Sequence, residues 1–139
     1  MSQIVNFEQS FKNEVASYPG GERVLNCYLC GTCTAGCPIS EIDADYNPRK
    51  IMRKILLGMR EDILKSGEIW KCYQCHTCVS HCPQDARFAD VVRALRDIAV
   101  EDGIVGKEFA DAVAKSDYEA RKQRLDKVSE LILNNQSEK

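Results

Sequence analysis

Apolar residues return at helical intervals in three stretches of the chain. In "NPRKIMRKILLGM", Ile51, Ile55 and Met59 stand four apart, with Met52 and Leu56 beside them. This is the stripe of an amphipathic helix. Asn47 in front of it is an N-cap residue, and Pro48 suits the first helical position. Phe88, Val91, Val92, Leu95, Ile98 and Ala99 keep the same period, with Gly103 as the predicted stop. Residues 107–139 place Leu125, Val128, Leu131 and Ile132 at helical spacing among seven basic and seven acidic side chains. They predict a terminal helix with a frayed end, an appendage that packs on the core or on a partner. The expected fold is all-α.

Ahead of the first two helices the alternation gives way to sulfur. "CYLCGTCTAGCP" carries Cys27, Cys30, Cys33 and Cys37, and "CYQCHTCVSHCP" carries Cys72, Cys75, Cys78 and Cys82. Each cysteine of the second run lies 45 residues after its counterpart, and the two runs use all eight cysteines of the chain. The turn signal "YPGG" (Tyr18 to Gly21) opens the first block. An internal duplication is the main feature, its unit being loop, Cys-Pro, helix, written twice. The predicted organisation is an N-terminal extension over 1–22, a two-cluster domain over 23–105 and a helical appendage over 106–139.

Charge narrows the function. A formal net charge of -2 and a pI near 5.7 exclude a basic nucleic-acid-binding domain. The start, "MSQIVNFEQSF", lacks the basic and apolar regions of a secretory signal. No apolar run approaches the roughly 20 residues of a transmembrane helix. The expectation is a soluble, cytoplasmic chain without direct membrane insertion. Cytoplasmic thiols are kept reduced, so clustered cysteines there bind metal or do redox work rather than form a disulfide framework.

A four-iron cluster needs four thiolates around a compact cube, and a C-x2-C-x2-C loop wraps three of them round it. In two-cluster ferredoxins the fourth cysteine, followed by proline, ligates the other cluster. Applied here, cluster one takes Cys27, Cys30, Cys33 and Cys82, and cluster two takes Cys72, Cys75, Cys78 and Cys37. Structural zinc is the rival, but it favours separated C-x2-C pairs without a third evenly spaced cysteine. Two [4Fe-4S] clusters are the expected cofactors.

Around the ligands, Gly31, Thr32, Thr34, Ala35 and Gly36 let backbone N–H groups approach the sulfurs. His76 and His81 read as outer-shell or surface residues, and Tyr28, Tyr73 and Trp70 as packing shields. Arg49, Lys50, Arg53, Lys54 and Arg60 form a basic stretch. They read as a solvated face, or as one that offsets cluster charge or docks an acidic partner.

The 34 residues between Cys37 and Cys72 read as helix, where small bacterial ferredoxins have a short β-rich connection. The chain therefore resembles the α-helical ferredoxins, with two pseudo-symmetric repeats around two clusters and a C-terminal helix. "CYLCGTCTAGCPIS", "YNPRKIMRKILLG", "IWKCYQCHTCVSHCPQ" and "VVRALRDIAVEDG" resemble the C-type iron–sulfur subunit of CoB–CoM heterodisulfide reductase, over roughly residues 20–105. The resemblance implies an electron-transfer subunit, itself without catalytic residues. Its partners would be the A-type subunit, which bears flavin and clusters, and the "CCG"-bearing B-type subunit, which cleaves CoM-S-S-CoB. A hydrogenase or formate dehydrogenase would be the electron source of a larger assembly. The alternatives are the iron–sulfur subunit of another dehydrogenase or quinone-linked reductase, and a zinc-stapled interaction module.

Overall fold

Asn47 begins the first of the expected helices. In the computed structural model, which describes residues 6–137, the Asn47 side chain accepts the Lys50 N–H at 3.0 Å. Pro48 follows at the first helical position. This helix, α4 (Pro48–Leu57), buries Ile51, Met52 and Ile55, each contributing about 1.5–3 kcal/mol. It stops at Gly58, whose φ is 79°. A Cβ there would lie 2.2 Å from the Glu8 carbonyl oxygen, and the Glu8 N–H donates to the Gly58 carbonyl at 2.7 Å. Only glycine allows that approach and that backbone angle together.

The other elements fall around it in chain order. They are α1 (Phe11–Ser17), a 3-10 turn (Val24–Asn26), α2 (Thr32–Ala35) and α3 (Pro38–Ile42) before it. After it come α5 (Arg60–Lys65), a second 3-10 turn (Glu68–Lys71), α6 (Thr77–His81), α7 (Phe88–Glu101) and α8 (Lys107–Ser137). All regular structure among the described residues is helical, as the periodicity predicts. None of these helices is long and apolar enough to cross a membrane.

The chain forms two compact units, Met1–Val105 and Gly106–Lys139. In the first, α7 is the central rod, burying Val91, Val92, Ala94, Leu95, Ile98 and Ala99. Phe11 and Val15 of α1, the α4 stripe, Ile63 and Leu64 of α5, and Ile69 complete the core around it. The segment ahead of the first cysteine run thus contributes to the same core. Arg60 ties its edges together. It forms a two-pronged pair with Glu14, both contacts at 2.8 Å, reaches Asp102 at 2.6 Å, and lies 5.8 Å from the Phe11 ring centre.

The 45-residue repeat is visible in the backbone until the Cys-Pro steps. The 3-10 turns correspond, as do α2 and α6. After Pro38 the chain makes α3 and a loop before α4, whereas after Pro83 it makes only a turn before α7 begins at Phe88. Gly103, at φ 69°, ends α7 where the sequence predicts. The second unit is α8, about 46 Å long at 1.5 Å per residue. Its surface carries ion pairs at helical spacing, among them Lys122–Asp126 at 3.4 Å and Lys127–Glu130 at 3.0 Å.

Candidate two-cluster iron–sulfur site

Each cysteine run bends through residues in left-handed backbone conformations. Leu29 and Gly31 have φ values of 63° and 88°, and their counterparts 45 positions on, Gln74 and His76, have 56° and 60°. For non-glycine residues this costs on the order of 1–2 kcal/mol each, and such strain concentrates at functional sites. Here it turns the Leu29 N–H onto the Cys27 sulfur at 3.4 Å, and the Gln74 N–H approaches Cys72 likewise. Gly31 and His76 then start α2 and α6, which carry Cys33 and Cys78. The repeat extends to hydroxyls, with Thr32 3.2 Å from the Cys30 sulfur and Thr77 3.4 Å from that of Cys75.

The fourth cysteine of each run is extended, with ψ 119° at Cys37 and 116° at Cys82, as a residue before proline must be. That conformation carries it out of its own loop. One recess is lined by Cys27, Cys30, Cys33, Cys78 and Cys82. A second is lined by Cys33, Cys37, Cys72, Cys75 and Cys78. Helices α2 and α6 pack against each other, and the buried Phe88 ring is common to both recesses.

All eight cysteines are free thiols. Burial pushes the Cys27, Cys33 and Cys72 thiols up from their ordinary range, and Cys78 to about 12. The exposed Cys30 is pulled down, chiefly by its bond with the Thr32 hydroxyl. Buried thiols ionise readily only against a cation, and metal binding displaces their protons. No group of three His, Cys, Asp or Glu side chains among the described residues closes on a single metal ion. The thiols instead stand around the walls of recesses, a donor set that suits a four-iron cube.

Residues 26–87 match the 4Fe-4S dicluster domain family. The chain is 46% identical over 104 residues to the second C-type iron–sulfur subunit of CoB–CoM heterodisulfide reductase of Methanocaldococcus jannaschii, an alignment covering 68% of this chain and 54% of that protein. It is 35% identical over 114 residues to the C2 subunit of the H(2)/formate:CoB-CoM heterodisulfide,ferredoxin reductase of Methanococcus maripaludis, covering 77% and 61%. With the C-type iron–sulfur subunit of the Methanopyrus kandleri heterodisulfide reductase the identity is 43% over 89 residues, covering 62% and 46%.

The chain is a homologue of the C-type iron–sulfur subunit of heterodisulfide reductase. It spans about half to three-fifths of the length of these relatives. The dicluster domain accounts for two [4Fe-4S] clusters, and the chain has eight free cysteines.

Arginines brace both loops. Arg49 Nε donates to the Leu29 carbonyl at 2.6 Å. Arg96 donates to the carbonyls of Ile69, Trp70 and Cys72 at 3.0, 3.3 and 2.8 Å, its guanidinium 5.3 Å from the Trp70 ring centre. The basic stretch divides in consequence. Lys54 pairs with Asp62 and Glu68, and Arg60 with Glu14 and Asp102, while Lys50 and Arg53 are exposed. His76 lies 3.9 Å from Asp90, which also accepts from Arg87 at 2.7 Å and Arg93 at 3.0 Å. Tyr28 is 57% exposed, so it shields little. Two residues that sequence reasoning passed over stand near Cys72, which lines the second recess. Arg96 gives no signal in the helical pattern. Tyr46, just ahead of the N-cap, occupies a position where a side chain often packs inward.

Proposed function

We propose that the chain is the electron-transfer subunit of a heterodisulfide reductase complex. Cys27, Cys30, Cys33 and Cys82 hold one cluster, and Cys37, Cys72, Cys75 and Cys78 hold the other. The observation that carries this reading is the mixed composition of each recess, three thiols from one run with both the third thiol and the Cys-Pro thiol of the other. When bound, each [4Fe-4S] cluster supplies a one-electron centre. The chain's own part is to hold the thiolates, to direct N–H and hydroxyl donors at them, and to exclude water with Phe88. Cys33 and Cys78 line both recesses, so clusters held there would be neighbours.

In this reading electrons pass from the flavin-bearing A-type subunit towards the B-type subunit, where the CoM-S-S-CoB disulfide is cleaved. A hydrogenase or formate dehydrogenase feeds the larger assembly, and the complex is cytoplasmic. Residues 23–105 form the two-cluster domain and 106–139 a separate helical appendage. No two cysteines are adjacent in the sequence, so the "CCG" chemistry is assigned to the partner. The assay is anaerobic, with an artificial reductant and CoM-S-S-CoB. The reduced lone chain should hold electrons without turnover, and turnover should begin on adding the "CCG"-bearing partner. Sustained cleavage by the lone chain would overturn the reading.

A further inference from the structure

Tyr46 is 1% exposed, and its hydroxyl is the buried side-chain polar atom left without a hydrogen bond of standard geometry among the described residues. A buried hydroxyl without a partner costs on the order of 1–3 kcal/mol, so its position calls for a reason. The backbone is held from both sides. The Tyr46 N–H donates to the Asp43 carbonyl at 3.1 Å, and the Ser40 hydroxyl donates to the Tyr46 carbonyl at 2.9 Å. So fixed, the phenol enters the core beside Cys72, with Cys37 also near. It is a buried donor with the Cys72 thiol among its neighbours.

The two halves differ at this point. The residue 45 positions after Tyr46 is Val91, so the sulfur of Cys27 has no corresponding hydroxyl. Gln74 adds a side-chain donor 3.4 Å from the Cys72 sulfur, where its counterpart Leu29 has none. Arg96 lends Cys72 a positive charge, and its counterpart is Ile51. Cys27 receives the Leu29 N–H and the charge of the exposed Arg49. A neutral thiol is a weak acceptor, whereas a thiolate takes a strong, charge-assisted bond.

We propose that Tyr46 is a tuning residue of the second cluster: its hydroxyl donates to the Cys72 thiolate and raises the reduction potential of the cluster that Cys72 holds. Reduction adds negative charge to the cluster and its sulfurs, so a donor aimed at a ligand sulfur stabilises the reduced form more than the oxidised one. The low dielectric around a buried group strengthens the effect. Two nearly repeated ligand sets thereby acquire different potentials. The proposal rests on the reading of Cys72 as a ligand.

Potentiometric titration of the anaerobically purified full chain, followed by electron paramagnetic resonance, reads the two clusters separately. Tyr46→Phe keeps the ring and removes only the O–H. One midpoint potential should fall and the other stay, and Cys72→Ser should disturb the same cluster's signal. Site-specific 3-fluorotyrosine at position 46, a more acidic phenol and stronger donor, should move that potential upward. This second variant retains the hydroxyl and decides the matter if Tyr46→Phe fails to load iron. Unchanged potentials in a fully loaded Tyr46→Phe protein, or an equal fall at both clusters, would overturn the proposal. A downward or absent shift with fluorotyrosine would do the same. If Cys37→Ala and Cys72→Ser instead disturb different clusters, the crossed ligand assignment fails. The effect of the hydroxyl on the Cys72 cluster is still read by Tyr46→Phe.

Discussion

Cys33 and Cys78, corresponding residues of the two runs, each line both thiol recesses. They ride on α2 and α6, short helices that pack against each other, so the third thiol of either loop sits at the boundary between the two sets.

The first prediction follows from that boundary and from the extended Cys-Pro steps. Cys30→Ala, at an exposed position, should cost one cluster, leaving about four of the eight irons that two such cubes require. Cys33→Ala and Cys78→Ala should lose more than that, because each also removes a wall of the neighbouring recess. Cys82→Ala should damage the cluster of Cys27, Cys30 and Cys33 and spare that of Cys72, Cys75 and Cys78. Anaerobic iron and sulfide analysis with cluster-resolved spectra checks all four. A Cys82 variant that loses only its own loop's cluster would refute the crossing.

Apo protein should lose stability in alkali. Burial raises the Cys78 thiol from its ordinary value of 9.0 to about 12, and Cys27, Cys33 and Cys72 move the same way. Below pH 9 these thiols are neutral in both states and contribute no difference. Above it the unfolded chain gives up protons that the folded chain retains, so folding weakens as pH rises towards 12. Chemical denaturation under reductant, from pH 8 to 11, should show a falling midpoint. The loaded protein, whose sulfurs are already thiolates, should lack this slope.

Removing the Arg60 clasp should destabilise the fold without touching the ligands. Arg60→Met keeps much of the stem but strips Glu14 and Asp102 of their shared cation, at an expected cost of about 1–3 kcal/mol. The denaturant midpoint of the apo chain reads this directly. Iron content after reconstitution should be unchanged.

Lys50 and Arg53 are exposed, unlike Lys54 and Arg60, whose charges are engaged within the fold. Charge reversal at both positions should therefore weaken assembly with an acidic partner surface while leaving stability within about 0.5 kcal/mol. Salt should diminish the difference. Binding to the partner protein, measured at low and moderate ionic strength, is the check. Identical affinities would leave this stretch as a solvated face.

The sequence displays what depends on spacing and hides what depends on meeting. Eight cysteines at a fixed offset, Asn47 and Pro48 ahead of an apolar stripe, and Gly103 behind another are local signals, and each is realised. The left-handed turns at Leu29, Gln74 and His76 are not legible, because nothing in leucine, glutamine or histidine announces them. They exist because the loop must turn its N–H groups inward. Phe11 and Val15 belong to a helix of two turns, too short to show a period, and their burial is decided by α4 and α7. Arg96 and Tyr46 act on a loop 24 and 26 residues away in sequence. Only the packing of α7 and of the chain ahead of α4 brings them there. The turn after Pro83 also departs from the repeat, since Asp85 and Arg87 take left-handed conformations where the first half forms α3.

Phe88 opens α7 and lines both recesses, so each proposed cluster site has this apolar residue in its wall. Water there would reorient with each electron passed, and that reorganisation would slow every transfer. An apolar ring has no dipole to turn, so the environment is nearly the same before and after the electron moves. With clusters held as proposed, this apolar wall leaves less solvent to reorganise when an electron passes.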